Sequence, residues 1–279
     1  MRRHGEHRPG DVAGRLVNQA HWDEAAPLHA ASELYDLDGF RAGRHDIRPF
    51  ELDEIGAVDG RELLHLQCHL GTDTLSWAHH GAQASGLDFS ERSLAVAREL
   101  AAELGIDAEF WNADVYDAVG AVGGRTFDIV YTGIGALGWL PDLGPWARVV
   151  HDLLRPDGIL YLVEIHPMVL AAIGDGRTIT RDTFDAEYRA SEEEGGTYAA
   201  PDAVLEHTVT YERDHALSDV VTAILDAGLV LELLREQSYT AVPWPWAERG
   251  ADGYYRLPAD SPRFPLTYSL RARRPPHSR

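Results

Sequence analysis

Between residues 61 and 166 the chain alternates short apolar runs with amphipathic stretches, and this rhythm constrains the fold more than any other feature. "ELLHLQ" is an apolar run that gives way to "TDTLSWAHHG", a helical pattern stopped by Gly81. "AQASGLDFS" reads as a strand ending in Asp88. "SERSLAVARELAAELG" is amphipathic with helical period, with Ser90 as N-cap and Gly105 as stop. "AEFWNADVYD" and "FDIVYTG" are two further strands, "DLGPWARVVHDLLRPDG" is a helix ending at a Pro-Asp-Gly turn, and "ILYLVEIHP" is a fifth strand. Strands alternating with helices at this spacing imply a mostly parallel sheet with helices on both faces. Right-handed crossovers then bring the strand C-terminal ends to one edge, where ligands bind near the reversal of strand order.

The flanks complete the expected architecture. Residues 1–17 are expected to be a flexible N-terminus, although helical spacing of Trp22, Ala25, Ala26 and His29 runs through 12–36. Residues 18–272 form one domain. Within it, 167–212 is a polar, turn-rich insertion on the substrate side, containing "SEEEGG" and a strand "AVLEHTVTYE". "SDVVTAILDAGL" is a helix capped by Ser218, and "LVLELLREQSY" and "FPLTYSLRAR" are two closing strands. Residues 240–264 form an aromatic loop, and 273–279 a basic tail.

Composition removes several classes of function. The formal charge is -20, which repels a phosphate backbone, so no nucleic-acid partner is expected. The chain contains no lysine; all its basic residues apart from histidine are arginine. That excludes a Schiff-base lysine and the phosphate lysine of a P-loop. No HExxH or paired CxxC is present, and no metal is expected. Cys68 is the single cysteine, which points to a reducing compartment. No apolar run is long enough to span a bilayer and "MRRHGEHRPG" lacks a signal-peptide core, so a cytoplasmic protein without a membrane partner is expected. A homodimer remains open.

The turn after the first strand decides which nucleotide is handled. In "LLHLQCHLGTDT" only Gly71 is a glycine; Gln67 and His69 stand where a nucleotide loop has two more. A nicotinamide dinucleotide needs a glycine-rich turn to seat its pyrophosphate on a helix N-terminus. A phosphate-free adenosyl ligand tolerates side chains there. Asp88, at the end of the second strand, can accept both ribose hydroxyl protons, and Asp114, after the third, can accept from an adenine amino group. Each acid has an alternative reading as a cap or a solvated turn residue.

The stretches "LLHLQCHLGTDTLSWA", "GLDFSERSLAVAREL", "NADVYD", "FDIVYTGIGALGWLPDL" and "LLRPDGILYLVEIHP" together resemble the class I S-adenosylmethionine-dependent methyltransferases, in a bacterial small-molecule branch. The resemblance implies an α/β fold: a Rossmann-like seven-stranded sheet, mostly parallel with the last strand antiparallel, helices on both faces, an N-terminal helical cap and the insertion after strand 5. It implies S-adenosyl-L-methionine as cofactor, with Trp22, Gln67, Gly71, Asp88, Phe89, Asp114, Val115, Thr132 and Gly133 around it. Here the sequence departs from the family at His65, where the common motif has an acid, and at Gln67 and His69.

Methyl transfer to a hydroxyl, amine or ring carbon needs a base near the strand edge. Glu164 and His166 lie two residues apart near the end of the fifth strand and are the first candidates, with His207 next. Their alternative reading is a hydrogen-bonded core carboxylate and a cap before Pro167. Trp139, Tyr211, Trp244, Trp246 and Tyr254 are expected to wall the substrate site against a flat acceptor, or to pack their own loop. The expected activity is methyl transfer to a small molecule in specialised metabolism, an indole or other aromatic ring among the candidates. The alternatives are a nicotinamide-dependent oxidoreductase and a non-catalytic adenosine-ligand sensor.

Overall fold

The computed structural model describes residues 9–184, 187–192 and 195–276. Residues 1–8, Glu193 and Glu194 of "SEEEGG", and the end of the basic tail at 277–279 lie outside that description. In chain order the elements are α1 (Pro9–Ala30), α2 (Leu37–Arg41), α3 (Pro49–Ile55), β1 (Glu62–Leu66), α4 (Thr72–His79), β2 (Gln83–Asp88), α5 (Glu91–Leu104), β3 (Glu109–Asn112), α6 (Ala118–Ala121), β4 (Phe127–Thr132) and α7 (Leu143–Leu153). They continue as β5 (Leu154–Ile165), α8 (Pro167–Ala171), β6 (Arg189–Glu192), β7 (Val209–Glu212), α9 (Leu217–Asp226), β8 (Val230–Gln237), β9 (Glu248–Arg249), β10 (Tyr255–Arg256) and β11 (Thr267–Arg273).

The main sheet has seven strands in the order β3-β2-β1-β4-β5-β11-β8. Neighbours from β3 to β5 are parallel, and β11 runs antiparallel to both β5 and β8. Strand order reverses between β1 and β4, which places the ligand edge at residues 67–71, 88–89, 112–115 and 132–137. The period-2 alternation divides β4 between two cores. Ile129 and Tyr131 pack with Leu63, Trp77 and Tyr161 on one face. Val130 packs with Leu64, Leu66, Trp146 and Leu160 on the other. Among the described residues, no helix is long and apolar enough to cross a membrane.

Four expected features differ. The N-terminal segment is helical from Pro9, not flexible through residue 17, because α1 packs along α5 and β7. Of "AVLEHTVTYE" only Val209–Glu212 is strand, and it pairs with β6 outside the main sheet. The backbone N–H groups of Glu206 and His207 go instead to the Glu24 carboxylate on α1. α9 begins at Leu217 with Ala216 at its N-cap and no side-chain cap, so Ser218 is not the cap. Burial of Val220 and Ile224, with α9 packed on α7, sets this helix rather than its capping chemistry. The Pro-Asp-Gly turn is absorbed within β5: Asp157 has φ 64°, and the β4–β5 register shifts between Phe127 and Ile129.

Candidate functional site

The loop after β1 takes the path of a glycine-rich turn without its glycines. Gln67, His69 and Gly71 have φ of 58°, 48° and 75°, all left-handed. A left-handed non-glycine residue costs about 1–2 kcal/mol, so Gln67 and His69 are held by their bonds. Gln67 Nε2 donates to the Ala136 carbonyl at 2.9 Å. The His69 N–H donates to Asp88 Oδ2 at 2.8 Å, while the His69 ring meets Ser93 Oγ at 3.0 Å and His29 Nδ1 at 2.9 Å.

Asp88 closes β2 as expected and is buried. Its Oδ1 accepts the Ser90 N–H at 2.9 Å. Burial pushes its carboxyl up to about 6; the backbone N–H bonds oppose this and the nearby Asp23 charge adds to it. Asp114 follows β3 and caps the single turn 115–117 through the Tyr116 N–H at 3.0 Å. Its Oδ2 accepts Arg15 Nε from α1 at 2.6 Å. Val115, the first residue of that turn, is buried in the core, and the Phe89 carbonyl accepts Gln19 Nε2 at 2.7 Å. Trp22 stands over the loop, its ring 5.1 Å from His69 and 5.0 Å from Trp139. Helix α1 therefore lies across the strand tips.

The insertion holds α1 from its other side. Asn18 exchanges hydrogen bonds with the Tyr211 backbone, 2.7 Å to its N–H and 2.8 Å to its carbonyl. Gly14 permits this approach: a Cβ there would sit 2.6 Å from the Tyr188 ring and 2.9 Å from that of Tyr211.

The expected bases are not free. Glu164 is buried and accepts the N–H groups of Gly135 at 2.5 Å, Ile165 at 2.7 Å and Leu137 at 2.9 Å, so it anchors the loop after β4. Burial pushes its carboxyl up against those bonds. His166 caps α8, its Nδ1 accepting the Met168 N–H at 3.1 Å, which leaves Nε2 to donate to Glu236 at 2.9 Å. Both nitrogens are engaged, the second towards β8 at the far side of the sheet. His207 pairs with Glu24 at 2.9 Å on α1 and is half exposed. His166→Gln is accordingly expected to keep its methyl-transfer rate within about threefold of the unaltered chain, since a base typically contributes 10²–10⁴-fold. A single-turnover measurement checks this, and a loss near a thousandfold restores His166 as the base.

The expected aromatic wall divides into separate groups. Trp139 alone joins Trp22 at the loop. Tyr211 packs on α1. Trp244 and Trp246 stack at 5.9 Å, and Trp246 Nε1 donates to the Ile173 carbonyl. Tyr254 lies against Tyr239 at 4.7 Å. Residues 240–264 are tied down by β9 and β10 and by the 173–176 turn, against which Gly176 lets Trp246 lie. His29, Tyr35 and Tyr198 take the place of the missing rings: His29 is 5.4 Å from Tyr35 and 4.7 Å from Tyr198. Burial lowers the His29 imidazole to about 4, so it is neutral.

Sequence reasoning missed Asp73, in the first turn of α4. A first-turn acid is ordinary helix chemistry; the one signal was His65, standing where an acid is common. A Cβ on Gly133 would sit 3.3 Å from Asp73 Oδ2 and 3.4 Å from His65 Nε2, so Gly133 opens a small polar cradle. Asp88, Asp114 and Asp73 suit hydroxyl and amino donors on a cationic ligand and oppose a pyrophosphate. The residues present therefore fit an adenosyl sulfonium.

Seven strands in this order, a left-handed loop after the first and carboxylates after the second and third define a class I methyltransferase fold. Residues 64–160, about a third of the chain, match the methyltransferase domain family, which together with this fold supports a class I S-adenosylmethionine-dependent methyltransferase. It is similar to the ubiquinone biosynthesis O-methyltransferase of Aeromonas salmonicida (strain A449), 29% identical over 140 residues, 49% of this chain and 58% of that relative. The chain thus spans less than two thirds of that relative's length. A structure concerned with conversion of a disulfide bond into a thioacetal group during echinomycin biosynthesis superposes with a TM-score of 0.59 at 20% identity, covering 94% of this chain and 92% of that one. An S-adenosylmethionine-dependent methyltransferase from Mesorhizobium loti gives 0.53 at 23% identity, covering 88% and 100%. At such identities both show the fold alone.

Proposed function

We propose that the chain transfers the methyl group of S-adenosylmethionine to a small, flat acceptor. The observation that carries this reading is the succession of carboxylates along the edge, Asp88 beside a left-handed loop and Asp114 one strand further. Asp88 would take the ribose hydroxyls and Asp114 the adenine amino group, in exchange for its bond to Arg15. Gly71 and Gln67 would line the loop side, and Thr132 and Gly133 the methionyl end. When bound, the cofactor supplies an electrophilic methyl with its own leaving group. The residues of the chain contribute orientation and exclusion of water. Trp22, Trp139, Tyr198, Tyr35 and the neutral His29 present ring surfaces beside the loop, which suits an aromatic acceptor.

Because Glu164, His166 and His207 are already bonded, the acceptor best matched is one that gives up its proton easily, such as a phenol or enol. The relatives' names, with an O-methyl transfer, agree with such an acceptor; an indole ring in specialised metabolism is the second candidate. The same engagement favours the adenosine-ligand sensor as the alternative. Incubating the purified chain with methyl-labelled S-adenosylmethionine and a panel of phenols and indoles separates them. Label is expected in a phenolic product; tight cofactor binding with no labelled product across extracts and panel leaves the sensor.

A further inference from the structure

We propose that Asp73, with His65 opposite, forms the subsite for the cofactor's α-ammonium group, in place of the acid missing from the end of β1. This rests on the methyltransferase reading above and deepens it. His65 lies at the C-terminal end of β1 and is only 4% exposed. Its Nδ1 is within 2.9 Å of Thr74 Oγ1, and its Nε2, which has no hydrogen-bond partner among the described residues, points to the Gly133 cradle. Burial and the Arg48 charge lower the imidazole to about 3, so the ring is neutral. In the tautomer that donates Nδ1–H to Thr74 Oγ1, Nε2 is an acceptor facing the same point as Asp73 Oδ2. An ammonium has three donors and no acceptor, which matches an acceptor pair.

The charges around Asp73 leave it under-compensated. Tyr131 has one hydroxyl proton, aimed at Glu51 Oε2 at 2.8 Å and at Asp73 Oδ2 at 3.2 Å, so Glu51 holds the larger share. Arg48 bonds Glu51 and stands 3.6 Å from Asp73, beyond hydrogen-bonding distance. Asp46 adds a third carboxylate, and Arg44, which binds it, also serves Asp36 at 3.4 Å. Burial, and after it the Asp73 charge, push the Asp46 carboxyl up, as expected where negative charge exceeds positive. A ligand cation at the Gly133 cradle would relieve that excess.

S-adenosylhomocysteine and methylthioadenosine share the adenosine, but only the former carries the ammonium. Calorimetric titration of the purified chain and its Asp73→Asn variant with both compounds therefore isolates the subsite. The expected result is a loss of roughly 10- to 100-fold in S-adenosylhomocysteine affinity with methylthioadenosine affinity unchanged, the scale of one charge-assisted bond. Adding His65→Asp to Asp73→Asn returns a carboxylate to the cradle and is expected to recover most of the loss. Unchanged S-adenosylhomocysteine binding in Asp73→Asn, equal loss of both ligands, or no recovery on adding His65→Asp would overturn the proposal. If the unaltered chain binds neither compound, it is the cofactor reading itself that falls.

Discussion

Asp88→Asn is expected to bind S-adenosylhomocysteine at least 100-fold more weakly than the unaltered chain at pH 7 to 8, with the gap narrowing below about pH 6. The estimate of about 100-fold follows from replacing two charge-assisted acceptors by one neutral one, at about 1.5–3 kcal/mol for each bond to a charged group. In the unaltered chain the affinity has a pH dependence whose sign is fixed. The ionised carboxylate accepts the ribose hydroxyls, and burial raises Asp88 to about 6. Affinity is therefore expected to fall as pH drops through about 6, up to tenfold per pH unit. Stability runs the other way. A carboxyl raised in the folded state favours folding fully below its ordinary value of 3.8, and that contribution is lost as pH rises through about 6. At 1.36 kcal/mol per pKa unit the ionised form costs about 3 kcal/mol. Asp88→Asn escapes that cost, so its urea stability relative to the unaltered chain should improve by up to about 3 kcal/mol between pH 4 and pH 7. A binding profile flat through pH 6 would remove Asp88 from the ribose contact.

The parallel half of the fold was legible because each signal was local and repeated. Ser90 accepts the Ser93 N–H and Gly105 has φ 65°, so α5 starts and stops where its sequence says. Asp88 is the last residue of β2, and the closing strands lie where their apolar runs place them. What the sequence hid depends on long-range partners. "AVLEHTVTYE" has a strand pattern, yet two of its N–H groups are claimed by Glu24, 182 and 183 positions away. The five expected substrate aromatics share a residue type but not a location, and only Trp139 meets the loop.

The catalytic expectation meets a competing role for a related reason. Residue type and strand position nominated Glu164 and His166, but a carboxylate near a strand end is equally suited to collect the backbone N–H groups of the next loop. Gly135, Leu137 and Ile165 do exactly what an unsatisfied backbone requires, by donating to Glu164. The turn after β1 and the acid ending β2 were legible because they depend on local backbone geometry. Asp73 was not, since its meaning comes from Gly133 and His65, which only the sheet brings beside it.

Gly71→Ala is expected to destabilise the chain by about 2–5 kcal/mol, while Gln67→Gly changes stability by less than about 1 kcal/mol, although both positions are left-handed. At Gly71, φ 75° costs an alanine about 1 kcal/mol or more. A Cβ there would also sit 2.7 Å from Ala97 Cβ and 3.2 Å from the Phe110 ring, in a cluster with buried Leu94 and Leu100. Overpacking of that kind adds about 1–3 kcal/mol. At Gln67, φ 58° shows that strain is already present, and glycine relieves it. Against that relief stand the lost bond to the Ala136 carbonyl and the freedom glycine adds to the unfolded chain, each about 1 kcal/mol or less. Urea unfolding of the two variants measures both terms. Ala97→Gly removes the nearest obstructing atom, so with Gly71→Ala it should show a favourable coupling of about 1–2 kcal/mol. Simple additivity of the two would mean that the backbone angle alone keeps glycine at 71, and α5 would then not be what presses on the loop.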